Sequence, residues 1–147
     1  MMKRHHIALA TMGLLATGLM AFSAGLSVGQ GQTTQNTRVY ELRTYTTLPD
    51  RLPALNQRFA EHTIQLFEKH GMKSEIYWAP TDEPLKDNTL IYVISHESRE
   101  AANKNWKEFQ ADPEWIKVRD ESEADGKILA KPPERVFLTA TAYSPRQ

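Results

Sequence analysis

Glu41 and Arg43, two residues apart, with Tyr45 two further on, are the first group in this sequence whose types and spacing could do chemistry. Successive side chains of a strand point to opposite faces. In an extended run the acid, the guanidinium and the phenol therefore stand in a row with Val39, while Tyr40, Leu42 and Thr44 share the other face. Such a pair can be a structural ion pair that fixes register and pairing. Alternatively, the Arg43 fork holds a ligand carboxylate or enolate, and Glu41, its pKa raised by burial, acts as a base. His96 closes an apolar run, where a strand end rims a cavity, and His62 lies close to the apolar stripe of a helix. Each is either a satisfied, partly buried histidine or a base. Trp78, near another strand end, faces a cavity or an interface. Tyr45, Tyr77 and Tyr92 can pack as aromatics while offering a hydroxyl. The ligand-binding candidates are thus Glu41, Arg43, Tyr45, His62, Trp78, Tyr92 and His96, and no residue is singled out as catalytic.

Other chemistries find no support. There is no cysteine, no His-Glu-x-x-His and no acid-rich loop with metal-ligand spacing. A glycine-rich phosphate loop and a Gly-x-Ser-x-Gly elbow are also missing. The chain carries 18 basic and 18 acidic residues, and without Lys3 and Arg4 the balance turns slightly acidic. A nucleic-acid partner would call for a basic surface.

The elements that must position these residues begin well inside the 147-residue chain. Residues 1–29 read as a signal peptide: Lys3 and Arg4 precede an uncharged apolar stretch over 7–28, followed by small residues. Cleavage fits before Ala24 or before Gln30. The stretch also matches the ~20 apolar residues that span a bilayer, so an uncleaved anchor is the alternative, and a membrane partner is expected only then. Either way the folded part is exported, periplasmic or secreted, and no disulfide is available to it there. Residues 30–37 form a flexible lead-in, and 38–147 the folded domain.

Within that domain a first strand is expected over 38–46. A helix follows over 52–70, its stripe formed by Leu52, Leu55, Phe59, Thr63, Leu66 and Phe67. Gly71 closes it in a left-handed conformation, and His70 suits the dipole at its end. A second strand is expected over 72–79 and a third over 89–96, the latter apolar on both parities and so buried on both faces. Ser98 caps a second helix whose inward stripe is Ala101, Ala102, Asn105, Trp106 and Phe109. Asp112 and Pro113 restart a shorter helix, which docks with the segment after it through Trp115, Ile116, Val118, Ile128 and Leu129. A last strand is expected over 134–143.

This order describes an α+β, ferredoxin-like βαββαβ domain, a four-stranded antiparallel sheet with helices on one face. The other face would be left open and apolar, and we expect a second copy to cover it. The row Glu41, Arg43 and Tyr45 is assigned to that far face, with some of Tyr77, Trp78, Leu90, Tyr92, Ile94 and Phe137. For strands two to four both parities are apolar, so their facing is left open.

Four strings then resemble the NIPSNAP family, a branch of the dimeric α/β-barrel superfamily: Tyr40-Glu41-Leu42-Arg43-Thr44-Tyr45; Phe67-Glu68-Lys69-His70-Gly71; the run from Trp106 through Phe109 and Asp112-Pro113-Glu114 to Trp115; and Tyr143-Ser144-Pro145. Together they span nearly the whole chain after the lead-in. The resemblance implies a homodimer with a cavity per subunit beside the sheet, suited to a small, largely apolar organic ligand. Superfamily relatives include cofactor-free monooxygenases, isomerases and haem proteins, so cofactor-free oxygenase or isomerase chemistry is one expectation. A non-catalytic dimeric interaction module of the cell envelope is the other. The family supplies no agreed catalytic constellation to carry over, and the export signal argues against transferring a mitochondrial or vesicle-trafficking role. No cofactor is expected; haem on His62 or His96 is an analogy with relatives that no spacing supports.

Overall fold

The computed structural model describes residues 37–145, so the leader and nearly all of the lead-in lie outside the described residues. The chain runs β1 (Val39–Thr46), α1 (Leu52–Arg58), a π-helical turn (Phe59–Thr63), α2 (Ile64–Lys69), β2 (Lys73–Trp78), β3 (Thr89–His96), α3 (Arg99–Ala111), α4 (Pro113–Ser122) and β4 (Glu134–Leu138). The strands form one antiparallel sheet in the order β2-β3-β1-β4. This is the α+β, ferredoxin-like βαββαβ arrangement expected above. Among the described residues no helix is long and apolar enough to cross a membrane.

Local signals explain where the elements start and stop. Pro53 sits in the first turn of α1, where its missing N–H costs nothing. Gly71 follows α2 with φ +71°, a conformation that strains any residue with a Cβ. The Ser98 hydroxyl accepts from Ala101 N at 3.1 Å and opens α3. Asp112 does the same for α4, accepting from Glu114 N at 2.8 Å, and its second oxygen accepts from His70 Nε2 at 2.7 Å and faces Lys69 Nζ at 2.8 Å. One cap thus also ties the end of α2 to the start of α4.

The long first helix is not uniform. At Phe59–Thr63 it widens to a π turn, in which Ile64 N bonds Phe59 O and the Thr63 hydroxyl bonds Arg58 O at 3.1 Å. Its stripe is buried as expected, and so is Arg58. β4 is shorter than expected: its last pair joins Leu138 to Tyr40, and only Val39 of β1 lies beyond that pair. In α4, Trp115 packs against the core and Val118 is buried, but Ile116 points outward.

The main correction concerns which sheet face the helices cover. Glu41, Arg43 and Tyr45 of β1 lie under them, together with Leu90, Tyr92 and Ile94 of β3, and Tyr77 packs against the same core. Phe59 and Phe67 descend from the helices onto Tyr45 and Tyr92, and Trp106 and Phe109 pack against Phe67, with ring centroids 5.0–6.0 Å apart. Charge under a helix layer is costly; here that cost is met by partners that the helices and β3 supply. The open face instead carries the other parity. Register places Leu42 beside Val93 and Val136, Tyr40 beside Leu138, Ile76 beside Val93 and Trp78 beside Ile91. Ile76, Trp78, Val136 and Leu138 are all exposed, Val136 by 54%. Of the residues proposed for that face, only Trp78 is there.

Candidate ligand-binding site

Glu41 is 0% exposed and is the hub of the covered face. Its Oε1 accepts from Arg43 Nη1 at 3.0 Å; its Oε2 accepts from Trp106 Nε1 at 2.7 Å and faces His96 Nε2 at 3.1 Å. An ionised carboxylate only accepts, so His96 carries a proton on Nε2; its buried Nδ1 has no partner among the described residues. Burial works to raise the Glu41 pKa, but the bonds from His96, Trp106 and Arg43 outweigh it and leave the carboxyl below its ordinary range. This direction fits the ion-pair reading and not the reading of Glu41 as a base: a carboxylate accepting three hydrogen bonds favours its charged form.

Arg43 lies with its guanidinium carbon 4.4 Å from the Trp106 ring and 5.5 Å from the Tyr45 ring. Burial disfavours its charge, yet the phenol oxygens of Tyr45 and Tyr92 and the Glu41 carboxylate prevail and hold it cationic. Its Nη2 reaches the Tyr45 hydroxyl at 3.4 Å, and the Tyr92 hydroxyl donates to the same oxygen at 3.1 Å. Burial pushes the Tyr92 phenol well above its usual value, so it stays neutral. Glu41, Arg43, Tyr45, Tyr92 and His96 therefore form one buried network joining β1 and β3 to α3.

At one end of this network a cavity of about 200 Å³ opens between the sheet and the helices. Arg43, Tyr45, Arg58, Trp106, Trp115 and Glu123 line it. Arg58, at the last position of α1, is 4% exposed, with its guanidinium carbon 5.3 Å from the Trp115 ring. Its Nη1 donates to Ser122 Oγ at 3.2 Å and to Glu123 Oε1 at 3.4 Å. Burial pulls its pKa below the usual value despite the attraction of Glu123. A half-open space with aromatic walls and two buried guanidinium groups suits a small organic molecule bearing an electron-rich or acidic group.

Two of the candidates lie elsewhere. Trp78 is on the open face of the sheet, 45% exposed. His62 falls within the π turn on the solvent side and lines a second cleft of about 440 Å³ with Gln57, Glu61 and Asp125, which shares Arg58 with the cavity. His70 is engaged by Asp112 at the helix end. Conversely, Arg58, Trp106 and Trp115 belong to the cavity, although the sequence singles out the two tryptophans only for packing and Arg58 not at all. Arg58 had left a signal: it follows Leu55 by three, a cation in the phase of the buried stripe.

Among the described residues no group of three or more His, Cys, Asp or Glu could hold a metal ion. The residues do not fit haem: His96 is buried with Nε2 committed to Glu41, His62 faces outward, and no histidine lines the cavity beside Arg43.

Comparison with known proteins places this geometry. The family model described as NIPSNAP matches residues 40–145. No curated protein matches. Among solved structures, a NIPSNAP-like domain protein from Burkholderia xenovorans is 19% identical, with a TM-score of 0.64 over 75% of this chain and 90% of that one. A NIPSNAP family protein of unknown function from Agrobacterium tumefaciens is also 19% identical with a TM-score of 0.64, covering 76% and 95%. A monooxygenase from Streptomyces coelicolor, solved with nanaomycin D, is 21% identical with a TM-score of 0.52, covering 74% and 92%. At these identities the likeness to the solved structures is one of fold.

Proposed function

The chain belongs to the NIPSNAP family, and on that premise we propose that it is an exported homodimer that binds one small, largely apolar organic ligand per subunit between sheet and helices. The observation that carries this reading is the cavity beside Arg43: aromatic walls around two buried cations, in a fold that also serves a monooxygenase solved with an organic ligand. Thermal-shift screening with small aromatic and lipid-like metabolites tests it. Ligands that raise the melting temperature of the wild type but not of Trp115→Ala support it; a protein indifferent to the whole set overturns it. Oxygen uptake or isomer formation without added cofactor would mark cofactor-free oxygenase or isomerase chemistry.

The second reading, a non-catalytic interaction module of the cell envelope, is favoured by one observation: Glu41 already accepts three hydrogen bonds and is no ready base. A stoichiometric envelope partner held by a protein with an unfilled cavity would select it. Self-association is assigned to the face opposite the cavity, where Leu42, Ile76, Trp78, Ile91, Val93, Val136 and Leu138 make an apolar sheet surface that a second copy can cover. Export, to the periplasm or beyond the cell, rests on the composition of residues 1–29.

A further inference from the structure

The cavity is not symmetric in how its two arginines are engaged. Arg43 is held at both ends of its fork, by Glu41 at 3.0 Å and by Tyr45 at 3.4 Å, and Trp106 covers its face. Arg58 is engaged on Nη1 alone. Among the described residues the buried Nε of each arginine has no partner; what sets Arg58 apart is that its Nη2 has none either, and that Glu123, the one carboxylate it meets, stands at 3.4 Å with a side chain 30% exposed. A guanidinium offers five N–H donors in a planar fork, and a buried one left with open donors is costly unless something accepts from them. The remaining charged groups of the lining do not supply that acceptor: Arg119 is itself a cation, engaged by Asp120 at 2.7 Å.

Resting on the cavity reading above, we infer that this site selects small aromatic carboxylates, the ring lying against Trp106 and Trp115 and the carboxylate on the open side of the Arg58 guanidinium. Three features converge on this class. The fork of an arginine matches the two oxygens of a carboxylate. Aromatic walls favour a flat, apolar body. The space of about 200 Å³ lies below the ~300–1,000 Å³ of drug-sized pockets, which suits one ring with a short acidic arm rather than a lipid or a fused polycycle. Arg43, neutralised by Glu41, then acts as a positioning residue that fixes Trp106 and Tyr45, and Arg58 reads the charge.

The test compares acids with their neutral amides. The purified folded domain is titrated with benzoate, phenylacetate and cinnamate, and with the three matching amides, by calorimetry and by tryptophan fluorescence. At least one acid should bind about tenfold or more tighter than its amide, as expected for a charge-assisted hydrogen bond. Arg58→Gln should abolish that preference, and Arg58→Lys, which keeps the charge but loses the fork, should retain part of it. If acid and amide bind the wild type equally, the selectivity falls and the cavity reading stands. If no compound of either kind binds, both fall. Should the variants not fold, the acid-to-amide ratio of the wild type alone decides.

Discussion

Glu41 shows how a charge can be the centre of a core. Removing one partner of a buried ion pair leaves the other uncompensated, at a cost of about 3–5 kcal/mol. Glu41→Ala should therefore lower unfolding free energy by about that much in urea titration, because Arg43, Trp106 Nε1 and His96 Nε2 lose their acceptor together. A loss under ~1 kcal/mol would mean that water takes the place of the carboxylate. The double replacement Glu41→Leu with Arg43→Met should recover most of the loss, since a well-packed apolar substitute often equals a buried pair. Acidity gives a second handle at this scale. Glu41 and Asp112 both titrate below their ordinary range in the folded chain; for Asp112 the causes are Lys69, His70 and the Glu114 amide. Each binds its proton more readily when unfolded. The stability they contribute is thus complete above their unfolded values near pH ~4 and is lost as pH falls through the lower folded values. Melting temperature should be level from neutrality to about pH 5 and decline below about 4, and Asp112→Asn should flatten that acid limb. Coincident limbs for the two proteins would refute the assignment.

At the scale of elements, what is local was legible and what is distant was not. The stripe of the first helix, Gly71 at its close, and the caps Ser98 and Asp112 each depend on residues within a turn or two, and each stands where its spacing puts it. Ser98→Ala should cost about 1 kcal/mol of stability, the usual worth of such a cap, read by chemical denaturation. The π turn escaped notice because the step from Phe59 to Thr63 fits an ordinary helix equally well. Its signature is the Thr63 hydroxyl on Arg58 O. Thr63→Val keeps the shape and removes that bond, so it should cost about 1–2 kcal/mol and weaken acid binding, since Arg58 loses its backbone brace. Intact acid selectivity in Thr63→Val would free the π turn of any part in positioning Arg58. The facing of β1 was misjudged for a related reason. Both parities of β3 are apolar, so pattern alone could not orient the sheet. The groups that make Glu41 tolerable beneath the helices lie 55 and 65 residues along the chain, at His96 and Trp106.

For the molecule as a whole, the sheet divides two tasks. Its covered side holds the charged network and the cavity; its open side is apolar and, in the proposed dimer, meets its copy. Light scattering of the chain from residue 30 onward should give a dimer at micromolar concentration. Val93→Lys, in the middle of the open side next to Leu42 and Ile76, should give monomers with unchanged far-UV circular dichroism. A wild type that stays monomeric at high concentration would remove the second copy and leave the cavity intact, because every group of the buried network belongs to one chain. The two tasks are nevertheless threaded on the same eight residues of β1, odd positions serving one and even positions the other. Slipping that thread by a single notch would throw an acid, a base and a phenol outside and bring Tyr40, Leu42 and Thr44 in, exchanging both tasks at once. Descendants of this chain are thus free to respell β1 letter by letter, but a lone insertion or deletion inside it forfeits the ligand chamber and the mating surface in the same stroke.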